Sequence, residues 1–232
     1  MIKKLICASL GLLAATNTYA TEDVFGMEVP MTWQKIILFT GGPAWTSPGE
    51  DQYIYPTINP PLITQYIPEH QTSSIAVGEV VFALQRFIHP CLLGQPGIGL
   101  GGTTSATLKG TATVDGVPDI YSYNYKVNQG RIELKGKLVR TDFTIQPYVS
   151  GSLGAGFNNS HAYIPTSTLP ADPAPWFGSH STVGFSYSLG LGVQTMISRH
   201  WQVGMGYEFA DWGKNFLDGD NMSVYQGLSL TH

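Results

Sequence analysis

Residues 180–209 alternate with a period of two. Val183, Phe185, Tyr187, Leu189, Leu191 and Val193 are apolar, whereas Thr182, Gly184, Ser186, Ser188, Gly190, Gly192 and Gln194 between them are small or polar. Ser198, Arg199 and His200 interrupt the pattern. It resumes with Trp201, Val203, Met205, Tyr207 and Phe209 against Gln202, Gly204, Gly206 and Glu208. Successive strand side chains point to opposite faces, so the stretch predicts a hairpin with one apolar face. The other face is Gly, Ser and Gln with a single Glu. That inversion suits a membrane barrel, whose apolar face meets lipid and whose interior is polar.

The N-terminus has Lys3 and Lys4, then an apolar run over residues 5–15, then Thr18-Tyr19-Ala20. This is the pattern of a secretory signal peptide over residues 1–20, with cleavage expected after Ala20. Its apolar run is too short to span a bilayer. Cys7 follows Ile6 rather than a small residue, which argues against lipidation. Residues 21–232 then form one domain. The chain has 12 Lys and Arg, two of them in the leader, against 16 Asp and Glu. That acidic balance disfavours nucleic acid as a partner. Past the leader only Cys91 remains, so no disulfide framework is expected. Charged residues are 12% and Gly numbers 27, which fits many half-buried strands more than a soluble helical domain.

Taken in order, residues 33–45 predict a first strand centred on Ile36, Ile37, Leu38 and Phe39. Residues 46–72 hold Pro48, Pro56, Pro60, Pro61 and Pro68 and read as a long exposed loop. A second strand covers 73–85, with Ala76, Gly78, Val80, Phe82 and Leu84 toward lipid and Glu79 inside. A third covers 92–114, with Ile98, Leu100, Thr104, Ala106 and Leu108 on one face. Asp115-Gly116-Val117-Pro118-Asp119 is a turn by composition. In the fourth strand, 120–139, Tyr121, Tyr123, Tyr125 and Val127 are odd-numbered, whereas Ile132, Leu134 and Leu138 are even. A β-bulge near residues 128–130 is the expected cause. A tight turn at 140–141 leads to a fifth strand, 142–158, in which Pro147 suggests another bulge. Residues 159–179, with four prolines, read as a second long loop, and 210–232 as polar and glycine-rich. Short turns at 86–90, 140–141 and 198–200 thus alternate with long connections at 46–72, 159–179 and after 210, with 115–119 the exception, as in outer-membrane barrels.

The leader, the alternating Gly/Ser-rich strands and the short-turn, long-loop rhythm resemble the small outer-membrane barrels of Gram-negative bacteria, specifically the OmpA-like, opacity-type surface antigens. The resemblance covers roughly residues 33–214 and rests on pattern rather than on a fixed motif. It implies an all-β fold, an antiparallel up-and-down transmembrane β-barrel of the eight-stranded type, located in the bacterial outer membrane. It also implies lipid and the barrel-assembly machinery as partners. Two features depart from the family. No soluble wall-binding domain follows the barrel. The count reaches seven strands, so the last strand is expected to be truncated or missing and the chain a fragment. The alternative is a short closing strand within residues 222–231.

Glu79, Arg131, Glu133, Lys135, Lys137 and Glu208 are expected inside the barrel. They read either as the lining of a narrow pore or as a paired polar plug. The plug is favoured because an eight-stranded interior is just wide enough to be filled by side chains and buried charges need partners. Trp33, Phe143 and Trp201 at the short-turn ends are expected to form an aromatic girdle, with Tyr207 and Phe209 at the opposite ends beside Tyr121, Tyr123 and Phe157. Trp45, Trp176 and Trp212 read as girdle or as exposed contacts. The Gly97, Gly99, Gly101, Gly102 run lacks the flanking helix of a phosphate loop and reads as interior-facing glycine. His161, Asp172 and His180 lack metal-ligand spacing, and Asp218-Gly-Asp-Asn lacks the rest of a calcium loop. No catalytic pair, metal or cofactor is expected. The functional expectation is a non-enzymatic barrel displaying long loops for surface or host contact or for envelope integrity. The alternatives are the narrow pore and a soluble lipocalin-like barrel binding a ligand inside.

Overall fold

Alternation becomes pairing in the computed structural model, which describes residues 5–15, 33–46, 52–54, 64–69, 73–167, 177–198, 200–213, 216–219 and 229–231. The strands are β1 (Leu5–Ala15), β2 (Gln34–Thr46), β3 (Gln52–Ile54), β4 (Thr64–Pro68), β5 (Ser73–His89), β6 (Leu92–Thr103) and β7 (Ala106–Val114). They continue with β8 (Val117–Arg140), β9 (Gln146–Ser167), β10 (Phe177–Gly178), β11 (His180–Met196), β12 (Trp201–Asp211), β13 (Phe216–Gly219) and β14 (Ser229–Thr231). β2, β5, β6, β8, β9, β11, β12 and β1 pair in that cyclic order, every pair antiparallel. The fold is an all-β, up-and-down barrel. Short connections, at Pro90–Cys91, residues 141–145 and between β11 and β12, gather at one end, here called the lower end.

The eighth place in the ring is held by residues 5–15, the run that the sequence reads as part of an export leader. β1 pairs with β12 from Leu5↔Ala210 to Ala14↔Trp201 and with β2 from Leu5↔Thr46 to Ala15↔Ile36. Cleavage at Ala20 would therefore vacate this place and leave β2 and β12 as open edges, which need another strand. Of the expected alternative, a closing strand within 222–231, residues 222–228 lie outside the described residues. β14 instead joins β10 and β13 in a separate small sheet.

Around most of the lower half, bulky apolar side chains point outward and charged or polar ones inward, the exception being a buried apolar cluster of Ile36, Leu38, Val81 and Ala83 on the inner face of β2 and β5. Leu134 is 68% and Leu189 69% exposed, whereas Glu133 is 2% and Gln194 2% exposed. Outward apolar positions run over residues 76–84 of β5, 147–157 of β9 and 183–193 of β11, spans of about 9–11 residues, the length a tilted strand needs to cross a hydrocarbon core.

Above this belt the pattern reverses. β7 pairs with the first half of β8, β4 with β7, and β3 with β4. The resulting upper sheet encloses Tyr66, Ala112, Tyr121, Tyr123, Tyr125, Val127, Tyr163 and Phe177. Tyr66 and Phe177 meet edge-on at 5.8 Å and Tyr163 and Phe177 at 5.2 Å, a geometry that aromatic quadrupoles favour. Most outward residues here, such as Thr107, Lys109, Ser122, Asn124 and Lys126, are polar, with Ile164 and Val117 as exposed apolar exceptions.

Several expectations change accordingly. The 46–72 segment contains two strands, because its prolines leave 52–54 and 64–67 free to pair and Pro68 stands at a strand end. β9 continues to Ser167 through part of the second expected loop. There is no bulge at 128–130. Odd-numbered residues of β8 face inward from Tyr121 to Val139, and the pairing shift with β9 lies between Asn124 and Lys126. Ala162, with φ of 55°, absorbs that extra residue on the β9 side. The third expected strand breaks at Thr104–Ser105, so Ile98 and Leu100 face outward but Ala106 is buried inside. Pro147 needs no bulge either, because it lies just beyond the last β8 pair, Val139↔Tyr148. The Asp115–Gly116 turn forms, with φ of 49° and 79° at its centre.

Candidate functional site

The four charged inward residues of the lower half of β8 are Arg131, Glu133, Lys135 and Lys137. Their register partners on β6 are Gly101, Gly99, Gly97 and Gln95, and on β9 they are Gly156, Gly154, Ser152 and Ser150. Long charged side chains thus stand between walls of small residues. The space is needed: a Cβ on Gly99 would lie 2.8 Å from Glu79 Oε1, and one on Gly101 3.1 Å from Arg131 Nε. The Gly97, Gly99, Gly101 run is therefore part of the site through what it leaves out.

Glu79 from β5 and Glu208 from β12 complete the cluster. Arg131 Nη2 lies 3.1 Å from Glu79 Oε2 and 2.8 Å from Glu208 Oε1, and its Nε is 3.1 Å from Glu133 Oε2. Lys135 Nζ lies 2.6 Å from Glu79, 2.9 Å from Glu208 and 3.5 Å from Glu133. Thr40 Oγ1 donates to Glu79 at 3.1 Å and Ser152 Oγ to Glu133 at 2.7 Å. The structure thus brings five of the six expected interior charges into one network. Lys137 stands apart, its Nζ 3.9 Å from the centroid of the Tyr148 ring and donating to Gln194 Oε1 at 2.5 Å. The six formal charges balance, which is the condition for holding them away from water.

Two layers close the network off. Below it, Gln194 donates to Gln146 and Gln202, while Gln95 donates to Gln85 and Gln85 to Gln34. Above it, the Trp212 ring lies 4.7 Å from the Arg131 guanidinium and packs with Ala44, Ile75, Ala106 and Ala210. Asn158 Nδ2 fixes the lid by donating to the Trp212 carbonyl at 2.9 Å. The void beside Lys135, Tyr148 and Glu208 measures about 40 Å³, space for no more than about three waters. Among the described residues this part of the interior is filled by side chains, five of its six charges being paired with one another.

Trp212 is the clearest departure from the expected roles: it is neither girdle nor exposed contact but a buried lid. The glutamine layer was not singled out by sequence reasoning. Its signal was present, since Gln34, Gln85, Gln95, Gln146, Gln194 and Gln202 each sit near the short-turn end of a strand. Trp33, Phe143 and Trp201 lie exposed at the lower rim, as does the Arg140–Asp142 pair, whose 2.8 Å hydrogen bond holds the Asp142 carboxyl below its usual range. Tyr207 is exposed higher up and Phe209 half-buried, its ring 6.3 Å from that of Tyr187. Tyr121 and Tyr123 are not girdle residues. They face the apolar interior of the upper sheet because β8 keeps its phase. His161 stands on β9 and His180 on β11; Asp172, Trp176 and residues 220–221 lie outside the described residues.

Comparison with protein-family models, with curated proteins and with solved structures finds no match to this chain.

Proposed function

We propose that this chain is a non-enzymatic, integral outer-membrane β-barrel, closed to ion flow, that presents its tyrosine-packed upper sheet and connections outside the cell. The supporting observation is the inverted lower half: a belt of exposed Leu, Val, Phe and Ile around an interior in which paired Glu, Arg, Lys and Gln outnumber a small apolar cluster. Water on both sides would penalise that belt, since soluble monomers rarely expose apolar patches of more than a few hundred Å². Hydrocarbon outside removes the penalty, and the closed ring leaves no unpaired backbone facing lipid. The kinship proposed is with OmpA-like, opacity-type surface antigens, and the partners are outer-membrane lipid, the barrel-assembly machinery during insertion, and a surface or host ligand met by the upper end.

The filled interior favours a structural or display role over conduction, and its polarity disfavours a lipocalin-like ligand cavity. The test is fractionation with electrophoresis of unboiled and boiled samples, followed by planar-bilayer recording. A heat-shifted band in the outer membrane, from a barrel that keeps residues 5–15 or has another strand in their place, with no single-channel conductance is the expected result. A soluble periplasmic band overturns the membrane reading, and steady conductance overturns the plug.

A further inference from the structure

The outward face of the lower half carries a trough of about 790 Å³. It exists because side chains are missing where two rows of bulky ones flank it. Gly136 and Gly151 face each other across β8 and β9, between the pairs Leu138↔Val149 and Leu134↔Leu153. A Cβ on Gly136 would meet nothing within 4 Å, and one on Gly151 would make only ordinary contacts at 3.6 Å and beyond. Packing of the barrel therefore does not require these glycines.

The trough begins at the lower rim, beside Trp33 and Arg86, and reaches Leu189 on β11. Four inter-strand steps separate β5 from β11 along the ring, about 19 Å at roughly 4.8 Å per step. It also climbs: Arg86 is close to the end of β5 at His89, whereas Leu189 is well inside β11, far from its end at Met196. One leaflet of hydrocarbon is about 15 Å deep, so an inclined trough of this length accommodates one acyl chain from rim to midplane. At its mouth the Arg86 guanidinium lies 5.6 Å from the Trp33 ring centroid and has no carboxylate partner among the described residues. Arg140 on the same rim is neutralised by Asp142. Lys35, exposed on the neighbouring strand and paired in register with Leu84, is a diagonal neighbour of Arg86, within reach for long side chains.

We infer that this trough is a binding site for one glycerophospholipid of the leaflet at the short-turn end. An acyl chain lies over Gly136 and Gly151, and an anionic headgroup phosphate meets Arg86, with Lys35 beside it. The inference rests on the membrane reading. The full chain, refolded in detergent and mixed with phosphatidylglycerol or phosphatidylcholine, is released from the micelle in a mass spectrometer and its retained lipids counted. A heat-shifted band is scored on the same samples. The expected result is one retained phosphatidylglycerol. Retention falls by about tenfold in the Gly136→Leu/Gly151→Leu variant, and the preference over phosphatidylcholine is lost in Arg86→Gln, with the heat-shifted band kept in both. A folded wild type that retains no lipid, a double variant that retains as much as wild type, or a dimer that the leucines abolish overturns the site while leaving the barrel reading intact. Absence of the heat-shifted band in wild type overturns both.

Discussion

The lower and upper halves of β8 share one backbone and one phase but opposite chemistry. Inward positions carry Arg131, Glu133, Lys135 and Lys137 below and Tyr121, Tyr123, Tyr125 and Val127 above; outward positions carry Ile132, Leu134 and Leu138 below and Ser122, Asn124 and Lys126 above. The pairing with β9 runs unbroken from Lys126 to Val139. What changes near residues 128–130 is therefore the surroundings, not the strand. The upper sheet is organised as proteins in water are, with aromatic side chains gathered inside. On the membrane reading proposed above, the lower half suits hydrocarbon outside, and its interior holds paired charges and glutamines beside the small apolar cluster of Ile36, Leu38, Val81 and Ala83. On that reading, a single strand would cross the boundary between two solvents.

The largest effect is expected from removing the strand that closes only the lower half. β1 pairs with β2 and β12 and with none of the upper-sheet strands β3, β4 and β7. A chain beginning at Thr21 should lose the compact, heat-shifted band unless a strand is supplied in trans; keeping that band would show that the ring closes without residues 5–15. Next is Arg131→Met, which strands Glu79, Glu133 and Glu208 without one of their two cations. Urea unfolding in lipid should register a loss of about 3–5 kcal/mol, the usual result of breaking a buried charge network.

Outward substitutions on β8 sharpen the comparison further. Leu134→Lys should cost about 2–4 kcal/mol in bilayers, as for a lysine on the lipid face near midplane. An alkaline titration should act on the upper half. Burial pushes the Tyr125 hydroxyl well above its ordinary value of 10.0. The unfolded chain then releases this proton first, so the contribution to stability is full below pH 10 and declines as the pH climbs past it. Protease cleavage of the upper connections above pH 10, with the heat-shifted band retained, is the expected readout. Smallest is Lys126→Leu, exposed above the belt, which should change stability by no more than about 0.5 kcal/mol.

Much of the lower half was legible because period-two alternation over nine or more residues is hard to mistake. Glu79 and Glu208 could be placed inside from their strands alone. That they meet Arg131 and Lys135 depended on register across the ring, which no single strand encodes. The upper sheet was hidden for a different reason. Thr64, Tyr66 and Pro68 alternate with Gln65 and Ile67 over too few residues to show a period, amid prolines that signal loop. Tyr121, Tyr123 and Tyr125 are visible in the sequence as an alternating set, but their phase against Ile132 and Leu134 points to a bulge only if one solvent surrounds the whole strand. Trp212, two residues past the apolar Ala210, gave no periodic cue to its lid position. Residues 5–15 carry the composition of a leader, and only pairing shows that the same run fits a strand.

The most direct test is a cysteine scan of the outward positions of β8 in lipid vesicles, in a Cys7→Ser/Cys91→Ser background. The account predicts that cysteines at Ser122, Asn124, Lys126 and Asn128 react at once with a membrane-impermeant maleimide. Those at Ile132, Leu134, Gly136 and Leu138 should resist it until the barrel is unfolded. Uniform reaction along the strand, with no break near residue 130, would mean water on both sides of the boundary and would contradict the membrane reading.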